Sequence, residues 1–387
     1  MIKQIFLLPF IVFVLSLTAC QKETFNPWPY LEVAEEQVTR TLEHFGDSIC
    51  YPGSIPPGNV HWEYTRIYSW TSGFFPGLLW QLYDYTGEDR WKEAARRWTL
   101  PLEPLSRWED TNHDMGFRIF CSFGKAFRLT GDPYYKEVVL EAAGTLADLY
   151  NPNAGTILSW PWAKQRKGWT HNTIIDNMMN LELLFWASKN GGEEAWYDMA
   201  VTHAKTTMEN QIREDYSTWH VVVYDSITGE VTGKYTSQGY SDNSTWARGQ
   251  AWGIYGFTMT FRETGDSVFL ETARGLADYF LDNLPEDHIP YWDFNAPEIP
   301  DEEKDASAAA IAASGMLELS EFTEDDKYYN QSVEILKSLS SPEYQAKGIN
   351  DAILLHSVGS KPGGSDVDVP IIYADYYYVE AMTKLFK

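Results

Sequence analysis

The stretch ARGQAWGIYGFTMTFRETGDSVFLETARGLADYFLDNL, Ala247 to Leu284, reads as two helices of different character on either side of a four-residue mark. Ahead of Thr264-Gly265-Asp266-Ser267 the residues are small or apolar on every side, as a fully buried helix requires. Behind it, Val268 to Leu284 alternates apolar and charged positions with helical period, the pattern of a helix with one wet face. Glycine can end the first helix in the left-handed conformation, and Asp or Ser can cap the second. The same mark recurs at Thr86-Gly87-Glu88-Asp89, Thr130-Gly131-Asp132-Pro133 and Asn190-Gly191-Gly192-Glu193, and without its glycine at Thr323-Glu324-Asp325-Asp326.

Outward from these marks, apolar helices are predicted to start near Ser72, Asp114, Ile174, Ala247, Asp305 and Tyr373. Amphipathic ones start near Pro27, Glu88, Asp132, Glu193, Ser267 and Asp325. Six of each, in strict alternation, predict an all-α chain folded as an (α/α)6 barrel, with six buried inner helices wrapped by six outer ones. Gly73, Gly77, Gly116, Gly124, Gly253, Gly256 and the run Ala306 to Ala313 allow close approach around the axis. A helical solenoid would not need every inner helix to be so apolar.

Alternation also collects the six inner N-termini on one face. The connections leading to them are long, at 151–173, 212–246, 285–304 and 341–372, whereas the inner-to-outer links are the tight marks. Long ordered loops in a compact domain usually carry function, so the site is expected on that face. Helix starts there offer unpaired N–H groups and a positive dipole end, worth about 0.3–1 kcal/mol to a nearby anion.

Length and composition narrow the partners. The 387 residues carry 30 basic against 55 acidic side chains, a net charge of −25, which repels nucleic acid. With 16 Trp, 24 Tyr and 19 Phe, more aromatics are present than a core of this size needs, and flat faces that also accept hydrogen bonds suit sugars. Residues 1–19 read as an export leader, with Lys3 ahead of the apolar run Ile5 to Leu17, too short for a permanent span. The leader ends Leu17-Thr18-Ala19-Cys20, which resembles a bacterial lipobox; Cys20 is then the lipidated first residue, 20–26 a short tether, and 27–387 a single domain. A lipid anchor in the cell envelope, on its periplasmic or outer-membrane face, follows. Cys50 and Cys121 remain, either as a disulfide or as two buried thiols.

Polar and aromatic side chains crowd the inner starts. Asp114 and Asp176 open consecutive inner helices, so they are expected to face each other across about 8–10 Å, the range for an acid and a water-activating partner. Asp114 has an N-cap role as its alternative. Asp176, set among Ile174, Ile175, Met178 and Met179, is costly to bury without purpose. The helix dipole offers it under one pKa unit, while drying by Trp160, Trp162, Trp169 and Trp246 can raise a carboxyl by roughly 3–5 units. One Asp is therefore expected to stay protonated while the other ionises. Trp70 stands at the first inner start. His220 and Gln238 on one long loop are candidates to bind hydroxyls or water, and Arg248 to clamp a carboxylate or simply pair with an acid. His113 beside Asp114 is half a metal site at most, and no H-E-x-x-H pattern accompanies it, so neither a metal nor a cofactor is expected.

The segments WTSGFFPGLLWQLY, NHDMGF, IIDNMMNL, STWARGQAWGIYGF, DASAAAIAASGMLEL and DVPIIYADYYYVEAM resemble family 88 glycoside hydrolases, the unsaturated glucuronyl hydrolases, from about Trp70 to Met382. The resemblance implies an (α/α)6 catalytic domain acting after polysaccharide lyases. Such an enzyme hydrates the C4=C5 vinyl ether of a non-reducing-end unsaturated uronate on glycosaminoglycan-type oligosaccharides. It assigns Asp176 as acid and base and Asp114 as its partner on the ring hydroxyls. His220, Gln238, Arg248 and Trp252 match positions that contact the unsaturated sugar, with Trp160 or its neighbour Trp162 stacking on it. Ser357, Ser360, Lys361 and Ser365 fall in the loop that reaches the next sugar. The rivals are an unsaturated rhamnogalacturonyl hydrolase of the same barrel, an ordinary inverting glycosidase, and a glycan-capturing surface lipoprotein, which has no need to tune a proton.

Overall fold

The computed structural model describes residues 25–386. The leader, Cys20 and most of the tether lie outside the described residues. Among those described, twelve helices form two rings. The outer ring is α1 (Trp28–Phe45), α3 (Asp89–Thr99), α5 (Pro133–Ala147), α7 (Ala195–Gln211), α9 (Ser267–Asp282) and α11 (Lys327–Leu339). The inner ring begins with α2 (Phe74–Thr86). Next comes α4, a π-helical stretch Gly116–Gly124 continued by Lys125–Thr130. Third is α6, a 3-10 turn Ile175–Asn180 continued by Leu181–Lys189. The ring ends with α8 (Ala247–Thr264), α10 (Ala306–Ser320) and α12 (Ile372–Lys384). Each inner helix packs on the next and α12 returns to α2, which closes the barrel as the alternation predicted.

The stop-and-cap chemistry read from the marks is complete at two of the five, while Glu88, Glu194 and Asp326 make no side-chain cap. Gly131 and Gly265 end α4 and α8 at φ near +69°, where a side chain would be strained, and Asp132 and Asp266 cap the following outer helices. The inner helices are buried almost throughout, α10 from Ala306 to Leu319 without interruption. Outer helices bury one stripe, as in α9 with Phe269, Thr272, Ala273, Leu276, Ala277 and Phe280.

The long connections hold short antiparallel strands. β1 (Tyr51–Pro52) pairs with β2 (Tyr64–Thr65), and β3 (Tyr150–Asn151) with β4 (Thr156–Ile157). β5 (His171–Ile174), β6 (Val221–Tyr224) and β7 (Val231–Tyr235) form a three-stranded sheet. β8 (Ser357–Ser360) and β9 (Ser365–Val369) form a hairpin. All the described strands lie on the connections that feed inner helices, so they rim the face where those helices start. Cys50 and Cys121 are both free thiols, which excludes the disulfide, and both are half-buried rather than buried. No described helix is long and apolar enough to cross a membrane.

Close packing around the axis rests on missing side chains. A Cβ on Gly73 would meet the Phe117 and Arg118 carbonyl oxygens at 2.1 and 2.4 Å, so α2 and α4 touch backbone to backbone. Gly144, on outer α5, has only ordinary contacts waiting at 3.7 Å. Thermal denaturation should therefore show Gly73→Ala destabilised by about 1–3 kcal/mol, because main chain must move. Gly144→Ala should be neutral or stabilised by up to about 1 kcal/mol.

Candidate active site

Two joined hollows open on the face of inner N-termini. The deeper one, about 80 Å³, is lined by Trp70, His113, Asp114, Trp160, Ile174, Asp176, Gln238 and Arg248. The outer one, about 360 Å³, shares Trp70, Gln238 and Arg248 and continues past Ser360, Ser365, Asp366, Tyr373 and the β1–β2 hairpin. Together they fall within the roughly 300–1,000 Å³ of small-ligand sites. Residues from the starts of α2, α4, α6, α8 and α12 meet here, and the start of α10 supplies Asp305, the ion partner of Arg248.

Local folding fixes the two carboxyl groups. Asp114 lies two residues before α4, where Met115 holds the N-cap position, which removes the N-cap reading. It lies 3.4 Å from His113 Nε2 and 4.0 Å from the Arg118 guanidinium one turn on. Asp176 is the second residue of α6, just past the end of β5 at Ile174, and the Asn180 side chain accepts the Phe117 N–H at 3.1 Å, locking α6 against α4. Both aspartates thereby face one compartment, as the alternation predicted.

The surroundings set the Asp176 proton. Burial pushes its carboxyl up to about 7, against the opposing pull of the Arg248 charge, and the Asp114 charge adds to the rise. Its Oδ2 has no hydrogen-bond partner within the chain and lies 3.9 Å from His220 Nε2. β5–β6 pairing places that histidine, since Ile174 faces Val221 and the Ile175 N–H bonds to the His220 carbonyl. His220 Nδ1 accepts the N–H groups of Ser237 and Gln238 at 3.2 and 3.3 Å. The ring proton is thus assigned to Nε2, which points toward Asp176 as a donor. Burial, with the charges of Arg248 and Lys167, drives His220 down to about 3, so it stays neutral. His113 is likewise lowered by burial, with both ring nitrogens unpartnered.

Other expected residues divide into wall and support. Trp160 lines the deeper hollow, and Trp162 stacks on it at 5.5 Å with 42% of its surface exposed, so Trp160 holds the lining position. Trp70 and Gln238 line both hollows, and the Gln238 amide reaches the Gly359 carbonyl at 3.0 Å. Ser360 and Ser365 line the outer hollow. Trp246 and Trp252 do not reach the lining. Trp246 packs between His220 at 4.5 Å and Arg248 at 4.4 Å, and Trp252 is fully buried with its indole N–H directed to Asp176. Lys361 turns away to Glu302 and Glu303, and Ser357 is buried at the root of β8.

Arg248 does more than the sequence suggested. Its guanidinium pairs with Asp305 at 3.1 Å and donates to the Val358 and Gly359 carbonyls, leaving Nε without a partner. A bidentate grip on a ligand would compete with these bonds, so the arginine presents an edge and a positive field. Asp305 in turn caps α10 through the Ser307 and Ala308 N–H groups. Sequence reasoning missed Arg118, buried to 2% exposure, which donates to the Ser69 and Tyr68 carbonyls and so ties the Trp70 loop to Asp114. Its signal was a lone charge four residues after Asp114 inside the otherwise apolar GFRIFCSFG. No group of three or more His, Cys, Asp or Glu side chains able to hold a metal occurs among the described residues.

A barrel of this closure, with two carboxyl groups in a dry pocket at its inner helix starts, is the architecture of a glycoside hydrolase. Residues 51–295 match the family model "Glycosyl Hydrolase Family 88", and the chain belongs to that family. An "Unsaturated glucuronyl hydrolase" of Formosa agariphila is 41% identical, over 97% of this chain and 98% of its own. An "Unsaturated chondroitin disaccharide hydrolase" of Streptococcus pneumoniae is 36% identical, over 82% of each chain. The crystal structure of an unsaturated glucuronyl hydrolase specific for heparin superposes with a TM-score of 0.88 at 40% identity, covering 92% of this chain and 96% of that one.

The buried carboxyl has a cost that can be measured. A carboxyl whose folded pKa is raised binds its proton more tightly in the folded state, so its contribution to stability is lost as pH climbs from about 4 to about 7. Asp176→Asn removes that loss. Its melting temperature should exceed the wild type's at about pH 8, with the gap narrowing or vanishing at about pH 4.

Proposed function

We propose that this enzyme removes the 4,5-unsaturated uronate from the non-reducing end of glycosaminoglycan-type oligosaccharides left by polysaccharide lyases, adding water across the C4=C5 bond. The observation that carries the reading is the Asp176 carboxyl, dried to a pKa of about 7, with one oxygen unclaimed beside a neutral histidine donor. A group poised near neutrality serves as acid and then as base.

In this reading Asp176 delivers its proton to C4 of the vinyl ether, and the ring oxygen shares the positive charge that develops at C5. Water adds at C5 and gives its proton to the Asp176 carboxylate, which restores the acid. The resulting hemiketal opens to a C5 ketone, and the hemiacetal left at C1 expels the remaining sugar as an alcohol. Asp114 holds ring hydroxyls with His113 behind it, and His220 Nε2–H donates to a substrate oxygen or to the water. The field of Arg248 favours the uronate carboxylate, and Trp160 offers a ring face to the sugar. The next sugar occupies the outer hollow toward Ser360 and Ser365. The leader and Cys20 support an envelope-anchored enzyme receiving lyase products outside the cytoplasm.

Asp176→Asn should lower kcat at least about 100-fold on lyase-generated disaccharides, followed as loss of the ultraviolet absorbance of the conjugated uronate. Wild-type rate should fall as pH rises through about 7, where the acid loses its proton. Full turnover by the variant would reassign the acid. Turnover of pectin-derived but not glycosaminoglycan-derived disaccharides would select the rhamnogalacturonyl alternative.

A further inference from the structure

Between Asp148 and Asp176 the chain has no acidic residue, although it carries a net charge of −25 overall. Within that window lie Lys164, Arg166 and Lys167, all exposed on the short helical turn Ala163–Lys167. Among the described residues none of the three makes an ion pair with a carboxylate, in a surface where most cations do. Two of them are held over rings instead: Arg166 and Lys167 each sit 5.8 Å from the centre of Trp162, and Lys167 4.3 Å from Trp169. Trp169 is itself stacked on Tyr235 at 5.2 Å, so the support is rigid.

The strip adjoins the reaction compartment. Trp162 stacks on Trp160, whose ring lines the deeper hollow, and the Lys167 charge acts on buried His220. The outer hollow is not lined by Trp160. We propose that Arg166 and Lys167, presented on Trp162 and Trp169, together with Lys164 on the same turn, form an electrostatic capture surface that draws the anionic non-reducing end of the saccharide into the deeper hollow. This rests on the unsaturated uronate being the substrate. Unpaired cations at a pocket mouth raise the local concentration of an anion even on an acidic protein, because repulsion from the rest of the surface is screened beyond roughly 8 Å at physiological salt.

The test is the salt dependence of kcat/KM on an unsaturated disaccharide that the wild type hydrolyses. Wild-type kcat/KM should fall as sodium chloride is raised. The triple variant Lys164→Gln/Arg166→Gln/Lys167→Gln should be lower by about three- to ten-fold at low salt, with a flatter salt profile. A charge-matched control, Lys92→Gln/Lys136→Gln/Lys205→Gln on outer helices, should follow the wild type. The capture surface is refuted if the strip variant keeps the wild-type profile, if the control loses as much, or if wild-type kcat/KM rises with salt. A wild type inactive on every unsaturated uronate would instead overturn the function proposed above.

Discussion

A carboxyl group kept away from water is the constraint around which this barrel is arranged. Asp176 is 9% exposed and sits where β5 runs into α6, so the strand pairing that delivers His220 and the helix packing that delivers Asp114 act on one group. Removing water raises the cost of charge, and the cost is what leaves a proton available near neutrality. The unpartnered atoms gathered there, on His113, Arg118, Asp176, His220 and Arg248, are polar groups that the fold leaves unsatisfied. Buried polar atoms are normally paired, so a cluster of exceptions marks the place where a ligand completes the bonding.

The second organising contact is the Arg248–Asp305 pair. It joins the start of α8 to the start of α10 and, through the Val358 and Gly359 carbonyls, fastens the β8–β9 hairpin to the barrel mouth. Both partners are almost completely buried, so neither can be removed without stranding the other's charge. The positive edge beside Asp176 and the wall of the outer hollow are thus parts of one device, and Arg118 does the equivalent work for Asp114 and the Trp70 loop.

Much of the fold was legible because helices announce themselves locally. The Gly131 and Gly265 stops, the Asp132 and Asp266 caps and the contrast between all-apolar and one-sided helices each depend on residues a few positions apart. The strand pairings were less visible. β5, β6 and β7 come from segments on either side of α7, and only Trp219 to Tyr224 carried a strand-like signature. Among site residues, Asp114 and Asp176 stood out by type and place, whereas Trp160 was not separable from Trp162. Trp252 was implied as a sugar contact by resemblance and Trp246 named among the drying indoles, and both stand behind the wall, because an indole's suitability for stacking is the same whether its face is covered by a sugar or by protein.

By itself the sequence determined the alternation of helices, hence the polarity of the barrel and the face on which the aspartates gather, because period and capping are properties of neighbouring residues. Only the tertiary structure decided that Asp176 Oδ2 is buried without a partner, which ring nitrogen of His220 carries the proton, and that Arg248 is already engaged by Asp305. Those outcomes depend on desolvation and on bonds between residues tens of positions apart, such as Arg248 and Gly359. Linear spacing does not encode them; the closing of the ring does.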